Sequence, residues 1–335
     1  MSARARAVVT IASASAAVTA VTVAAATVAA ARRRRPGSTP GSHGAAPVEI
    51  APGVFCLGPW GRTQTNVYLA RAGSSWFLVD AGWASDAARI EAATRGLLGP
   101  GIAPSAILLT HVHPDHAGSA RALAARWACP ILLHPAEMPI ADGDFAAMER
   151  DAGPLDRWVI LPAMRAMGER RRAAVIAQGS LGGRTRGFAA DGSIPGIDGW
   201  MWIHTPGHTP GHVSFLRAVD RVVLTGDALL TLEVNAPTGL LFGRQGLSEP
   251  PWYTTWDQGA AVASIATLAE LEPAVVGAGH GRPLAGAGTA AAVRAFAERA
   301  WTAARAGDAP PHSQAAAART RPMSRSIRAW WDPRQ

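Results

Sequence analysis

From position 48 onward, short apolar runs alternate with clusters of turn-forming residues. Val54-Phe55-Cys56-Leu57, Asn66-Val67-Tyr68-Leu69-Ala70 and Trp76-Phe77-Leu78-Val79-Asp80 are divided by Gly, Pro and Ser, which predicts three short strands. A helix is expected next: Ser85 or Asp86 offers a cap, Ile90 and Leu97 fall on one face, and Gly99-Pro100 stops it. Ala106-Ile107-Leu108-Leu109 reads as a buried strand that ends in a loop. Residues 119–127 are expected to be helical, with Leu123 and Trp127 four apart, and Ile131-Leu132-Leu133 forms a strand ended by His134-Pro135. Strands alternating with helices predict an α/β protein.

Residues 136–190 break this rhythm. Helices are expected over 145–150 and 161–178, with Pro154 and Pro162 as stops and Arg170-Arg171-Arg172 on an exposed side. Such an insertion is either a peripheral layer or a lid over the strand ends, and the pattern favours neither. Further on, three apolar runs each lead into residues of metal-ligand type. Trp200-Met201-Trp202-Ile203 precedes a stretch holding His204, His208 and His212; Arg221-Val222-Val223-Leu224 precedes Thr225-Gly226-Asp227; Ala274-Val275-Val276 precedes Gly277-Ala278-Gly279-His280-Gly281. Glycine lets the chain turn beside a bulky site, and open sheets commonly present their chemistry at the carboxyl ends of strands. Between Asp227 and His280 a long loop and a helix over 257–271 are expected, with Val262, Ile265, Leu268 and Leu271 as the packing stripe.

Charge divides the chain into three parts. Its 335 residues can hold one large or two modest domains. All 32 basic residues are arginine and the net charge is +8. Residues 1–47 carry six Arg and no acid, and 301–335 carry six Arg against Asp308 and Asp332, so 48–300 is left with 20 Arg against 22 acids. The basicity thus belongs to the ends, and no nucleic-acid partner is expected, because that footprint would lie along a face of the folded domain. The expected organisation is an N-terminal apolar, Arg-rich segment and linker over 1–47, one domain over 48–300 and a basic tail over 301–335. Residues 7–31 are uncharged and flanked by Arg4, Arg6 and Arg32-Arg33-Arg34-Arg35, with Ile11 the only larger aliphatic. Three readings stay open: a membrane anchor that leaves the following domain cytoplasmic, an export signal ending at Ala29-Ala30-Ala31, and an inert extension. Residues 36–47, rich in Pro, Gly and Ser, read as a linker. Cys56 and Cys129 read as buried small apolar residues and define no disulfide framework.

The densest chemistry is Thr110-His111-Val112-His113-Pro114-Asp115-His116-Ala117-Gly118, with three imidazoles and a carboxylate within six positions. Neutral imidazole and carboxylate oxygen are ligands that zinc takes. His111 and His113, two apart at a strand end, can point to one side, while Asp115 and His116, beyond Pro114, can face a second point.

With His208 in Thr205-Pro206-Gly207-His208-Thr209-Pro210-Gly211-His212, Gly226-Asp227 and His280, this motif resembles the metallo-β-lactamase superfamily over about 48–300. The resemblance implies a four-layer αβ/βα sandwich with two metal ions at one edge: zinc, or alternatively iron. It places His111, His113 and His208 on one metal and Asp115, His116 and His280 on the other, with Asp227 bridging. Asp80 matches the family's strand-end aspartate, a support behind the histidine loop. The same pattern makes His208 the ligand, and His212 a packed or hydrogen-bonded residue at the head of the next strand. His134 is expected to make a structural contact near the site. His43 and His312 carry no signal.

What the resemblance implies in function is a metal-dependent hydrolase, with activated hydroxide attacking a small ester, thioester or lactone. Asp115 is the expected catalytic residue, its second oxygen passing a proton to the leaving group. The best-known zinc β-lactamases have a Cys where Asp227 stands, which argues against penicillin hydrolysis; the aspartate is shared by glyoxalase II-like thioesterases, lactonases and phosphodiesterases. Phe242, Trp252, Tyr253 and Trp256, in the loop over 229–256, offer aromatic surface for an apolar pocket. The alternatives are a phosphodiesterase, a mononuclear-iron oxidoreductase resembling persulfide dioxygenases, and a tethered protein that binds metal without turnover. Oligomeric state and natural substrate are not legible.

Overall fold

Two mixed β-sheets pack face to face, each covered by helices on its outer side. A computed structural model describes residues 46–306. The anchor, signal and linker readings of 1–45 and the tail from 307 fall outside the described residues. The first sheet has the order β1 (Val48–Ala51), β2 (Val54–Cys56), β3 (Tyr68–Ala72), β4 (Ser75–Val79), β5 (Ile107–Leu108), β6 (Ile131–Leu133) and β7 (Thr185–Gly187). Strands β1 to β4 are antiparallel neighbours, and β4 to β7 run parallel. Along the chain follow β8 (Met201–His204), β9 (Val213–Arg217), β10 (Val222–Gly226), the hairpin β11 (Leu230–Leu232) with β12 (Gln245–Ser248), then β13 (Val275–Ala278) and β14 (Leu284–Ala285). The second sheet runs β14-β13-β10-β9-β8, with β10 and β13 parallel.

The alternation of side chains along each strand builds the layers. Leu78, Ile107, Ile131 and Leu133 face helices α1 (Ala87–Leu98), α2 (Pro114–Ala117) and α3 (Ala120–Trp127), contributing to a core with Ile90, Ala117 and Leu123. Their neighbours Phe77, Val79, Leu108 and Leu132 face the second sheet, meeting Phe215, Val222 and Leu224. Beyond that sheet, Leu216, Val223 and Val276 pack on Ile265, Leu268 and Val293 of the last two helices. The result is a four-layer αβ/βα sandwich. Phe77 and Phe215 are fully buried in the middle layer, where truncation of either to Ala costs about 3–5 kcal/mol.

The insertion between β6 and β7 holds α4 (Met138–Ala141), α5 (Phe145–Arg150), α6 (Leu161–Ala166) and α7 (Glu169–Gly179). The single helix expected over 161–178 is thus two, parted at Gly168, whose φ of +81° leaves the helical region. The strand expected to end at Asp80 ends at Val79, because Asp80 turns to a φ of +60°. Likewise the strand expected from Asn66 begins at Tyr68, since the Asn66 side chain leaves the sheet to donate to the carbonyls of Ala278 and Gly281, at 2.9 and 2.6 Å. The loop expected over 229–256 contains the β11–β12 hairpin, bridged by α8 (Pro237–Phe242). Helix α9 (Gln258–Glu270) opens on Asp257, whose carboxylate accepts from Ala260 N at 2.9 Å. The pattern did not show β1, nor α10 (Thr289–Ala306), which runs past position 300. Among the described residues no helix is long and apolar enough to cross a membrane. Cys56 and Cys129 are both free and buried.

Candidate metal centre

Four strands deliver ligand-type side chains at their carboxyl ends. After β5 the chain carries Thr110 and His111, and His113 stays extended just before Pro114 starts α2. Asp115 and His116 follow within that helix. His208 follows β8, Asp227 follows β10 directly, and His280 follows β13. Two glycines permit the convergence. A Cβ on Gly279 would lie 2.2 Å from Asp227 Oδ1, and Gly226, at φ +51°, passes between Thr110 and His212.

The structure brings His111, His113, Asp115, His116, His208, Asp227 and His280 together. Three groups have ligand atoms within 4.8 Å of one another: His111, His113 and His208; His111, His116 and Asp227; Asp115, His116 and His280. His113 Nδ1 and His208 Nε2 are 2.8 Å apart. Asp227 Oδ1 is 3.3 Å from His116 Nε2, while its Oδ2 is 3.4 Å from both His208 Nε2 and His280 Nε2. Asp115 Oδ2 is 3.4 Å from His280 Nε2 and 3.9 Å from His116 Nε2. Asp227 therefore stands between the two histidine groups.

The residues behind the rings set their tautomers. His116 Nδ1 donates to Asp80 Oδ2 at 2.8 Å. Asp80 also accepts from Thr110 N and from the Thr110 hydroxyl, which leaves that oxygen to accept from His111 Nδ1 at 3.0 Å. Thr255 donates its hydroxyl to Pro251 O and accepts from His208 Nδ1 at 3.2 Å. His280 Nδ1 donates to Thr63 O at 2.8 Å. In each of these four rings Nδ1 is engaged with a neighbour, so Nε2 is the nitrogen turned inward and the one available to a metal once it carries no proton. His111 Nε2, His116 Nε2 and Asp227 Oδ1 are buried without a hydrogen-bond partner. Orphaned buried acceptors of this kind are costly, and a cation held among them would satisfy all three. The donor set of imidazole and carboxylate suits zinc, and imidazole also suits iron.

Electrostatics agree with a cation site. Burial lowers the His111 and His208 pKa values well below the ordinary imidazole range, with neighbouring histidines pushing the same way, so both rings stay neutral and ready to coordinate. Burial alone would raise the Asp227 carboxyl, but His280 and His116 overcome it and hold the group well below the usual carboxylate range. Burial would lower those two imidazoles, but Asp227 and its neighbouring carboxylates raise both, so a cation would have to displace their protons.

Three further residues stand around this centre. His212 accepts from Asp227 N on Nε2 at 2.9 Å, so its Nδ1 proton goes to Thr205 Oγ1 at 2.9 Å. Glu137, fully buried, accepts from Val112 N and Gly211 N. Asp156, in the insertion, has its carboxyl raised by burial, an effect that His113 partly offsets. His212 closes the Thr-Pro-Gly-His repeat and is hydrogen-bonded just before β9, as expected, whereas Glu137 and Asp156 lie outside the dense His and Asp motifs and nothing local marks them.

His134 stacks on His204 with ring centroids 4.5 Å apart and accepts from Ala136 N, and neither partner is one of the seven. Of the aromatic residues expected to line a pocket, Tyr253 is half-buried, and burial, then Asp115 and Asp227, push its phenol up to about 12. Trp252 packs edge-on against Tyr253 at 5.8 Å, Trp256 is 39% exposed and Phe242 is 82% exposed. The insertion docks on the same loop, where Leu155 N donates to Tyr253 O at 2.6 Å.

A profile of the metallo-beta-lactamase superfamily matches residues 60–280. The probable metallo-hydrolase YflN of Bacillus subtilis (strain 168) is 35% identical over 226 residues, covering 66% of this chain and 82% of that protein. The hydroxyacylglutathione hydrolase GloC of Haemophilus influenzae is 28% identical over 132 residues, 37% of this chain and 49% of that protein. Among solved structures, a metallo-beta-lactamase family protein from Thermus thermophilus superposes with a TM-score of 0.52 at 23% identity, over 77% of this chain and 81% of that one, a likeness of fold.

Proposed function

The chain belongs to the metallo-β-lactamase superfamily, and we propose that within it this protein is a dinuclear zinc hydrolase acting on a small ester, thioester or lactone. The observation that carries the reading is the place of Asp227, whose Oδ2 is 3.4 Å from both His208 and His280 and whose Oδ1 is 3.3 Å from His116. A carboxylate so placed can be shared by two cations, with His111, His113 and His208 holding one and Asp115, His116 and His280 the other. When bound, such a pair supplies Lewis acidity and water acidified toward neutral pH.

The chain's own residues do the rest. Asp115 turns Oδ2 toward His280 and His116, which leaves Oδ1 to take the proton that the attacking water gives up and pass it to the departing oxygen or sulfur. Tyr253 stays protonated across the working range, so its phenol is available to donate a hydrogen bond to the substrate carbonyl oxygen as charge builds there. Trp252 and Trp256 offer apolar surface beside it. The near balance of 20 Arg and 22 acids in 48–300 supports a small neutral substrate over a nucleic acid. The relative named as a hydroxyacylglutathione hydrolase supports the thioester arm.

The test is a panel of p-nitrophenyl esters, acyl thioesters, lactones and bis-p-nitrophenyl phosphate on the zinc-loaded full chain. Turnover on the carboxylic substrates is the expected result. Turnover confined to the phosphodiester would make the protein a phosphodiesterase, and none on any arm with metal bound would overturn the hydrolase reading. Asp115→Asn should lose most turnover at unchanged metal content.

A further inference from the structure

Glu137 is a fully buried carboxylate with no ion-pair partner among the described residues. It ends the single turn Pro135–Glu137 that follows β6, where its own N–H donates to His134 O at 2.9 Å. Its two oxygens reach two different loops. Oε2 accepts from Val112 N at 3.0 Å, and Oε1 accepts from Gly211 N at 2.9 Å. Val112 lies between His111 and His113; Gly211 lies three residues after His208. The approach is close enough that a Cβ on Gly211 would fall 2.7 Å from Glu137 Cγ.

We propose that Glu137 is a positioning residue for the pair His113 and His208, its one rigid carboxylate fixing the spacing of the two loops that carry them and hence the metal affinity of the site they form. The inference rests on the reading that these rings hold a metal. A carboxylate suits the task because both its oxygens accept, whereas an amide of the same shape would turn an NH2 toward one of the two backbone N–H groups. Charge-assisted bonds of this kind are the stronger ones, and they partly offset the burial of an unpaired anion. His113 and His208 come from loops 95 positions apart in sequence, and among the described residues no other side chain bonds the backbone of both loops. The second group, Asp115, His116 and His280, is steadied by Asp80 and Thr63 instead. Loss of Glu137 should therefore weaken one site and spare the other.

The test measures zinc affinity by chelator competition in two backgrounds of the full chain. His280→Ala keeps the His111, His113 and His208 site, and His208→Ala keeps the Asp115, His116 and His280 site. Adding Glu137→Gln should weaken the first site at least about tenfold and the second by less than about twofold, with Glu137→Ala worse than Glu137→Gln. A merely structural latch would lower thermal stability while leaving both affinities alone, and that result, or an equal loss at both sites, overturns the proposal. Failure of either background to bind zinc would instead count against the metal reading itself and take the proposal with it. Should Glu137→Gln not fold, the wild-type amides decide. The Val112 and Gly211 N–H protons should exchange slowly and shift together on addition of zinc; fast exchange, or shifts in only one of them, overturns the proposal.

Discussion

His116 Nδ1 donates to Asp80 Oδ2 at 2.8 Å, with both side chains buried. Asp80 holds this place from a φ of +60°, a conformation that few non-glycine residues adopt. The same carboxylate accepts from Thr110, whose hydroxyl in turn accepts from His111. One aspartate thus orients a ring of each candidate metal group. Asp80→Asn should weaken both zinc equivalents, each about ten- to hundredfold, in contrast to Glu137→Gln. Chelator competition reads this directly, and unchanged affinities would show that the orientation is set elsewhere.

Gly279 leaves no room for a side chain beside Asp227. A methyl there would sit 2.2 Å from Asp227 Oδ1 and 2.9 Å from His116 Cε1. Gly279→Ala should displace the carboxylate and cost about 1–3 kcal/mol of stability from overpacking. Elemental analysis should find less than the full metal complement; a complete complement at wild-type thermal stability would contradict the geometry.

Tyr253 keeps its proton because burial and the two nearby carboxylates push its phenol up to about 12. Tyr253→Phe removes the donor and little of the volume. The expected result is a fall in kcat of about a hundredfold at unchanged metal content and little change in KM. A variant with wild-type kcat would remove the phenol from the mechanism.

What the sequence made legible, and what it hid, follows from how far apart the interacting groups lie. The strands that lead into His111, Asp227 and His280 are short apolar runs ended by glycine or by the ligand itself, so local pattern suffices for them. The same holds for α9, where Asp257 caps a helix with buried Val262, Ile265 and Leu268. Glu137 and Thr255 are hidden because their roles depend on partners 25 to 74 positions away, and nothing local marks them. β4 ends one residue before the apolar run predicts because Asp80 adopts a backbone shape that its type rarely takes. The break at Gly168 is different in kind: a glycine inside an otherwise helical pattern is tolerated as often as not, and only the fold shows that this one turns the chain.

His134 gives the stability of the fold a pH dependence apart from the metal ligands. Burial, then the stacked His204, lower its pKa from 6.5 to about 4. Between those values the unfolded chain binds the proton and the folded chain does not. Stability from this group is therefore intact above about 6.5 and is lost as the pH falls toward about 4. His134→Asn should flatten the decline of the urea midpoint over that window. An equally steep decline in the variant would assign it to other groups.

The most direct test of the two-cation centre is a zinc titration of the metal-free full chain, with turnover of a thioester or lactone followed at each addition. Turnover should rise with added zinc and level off at two equivalents per chain. A break at one equivalent, or turnover indifferent to zinc and to its removal, would contradict the account.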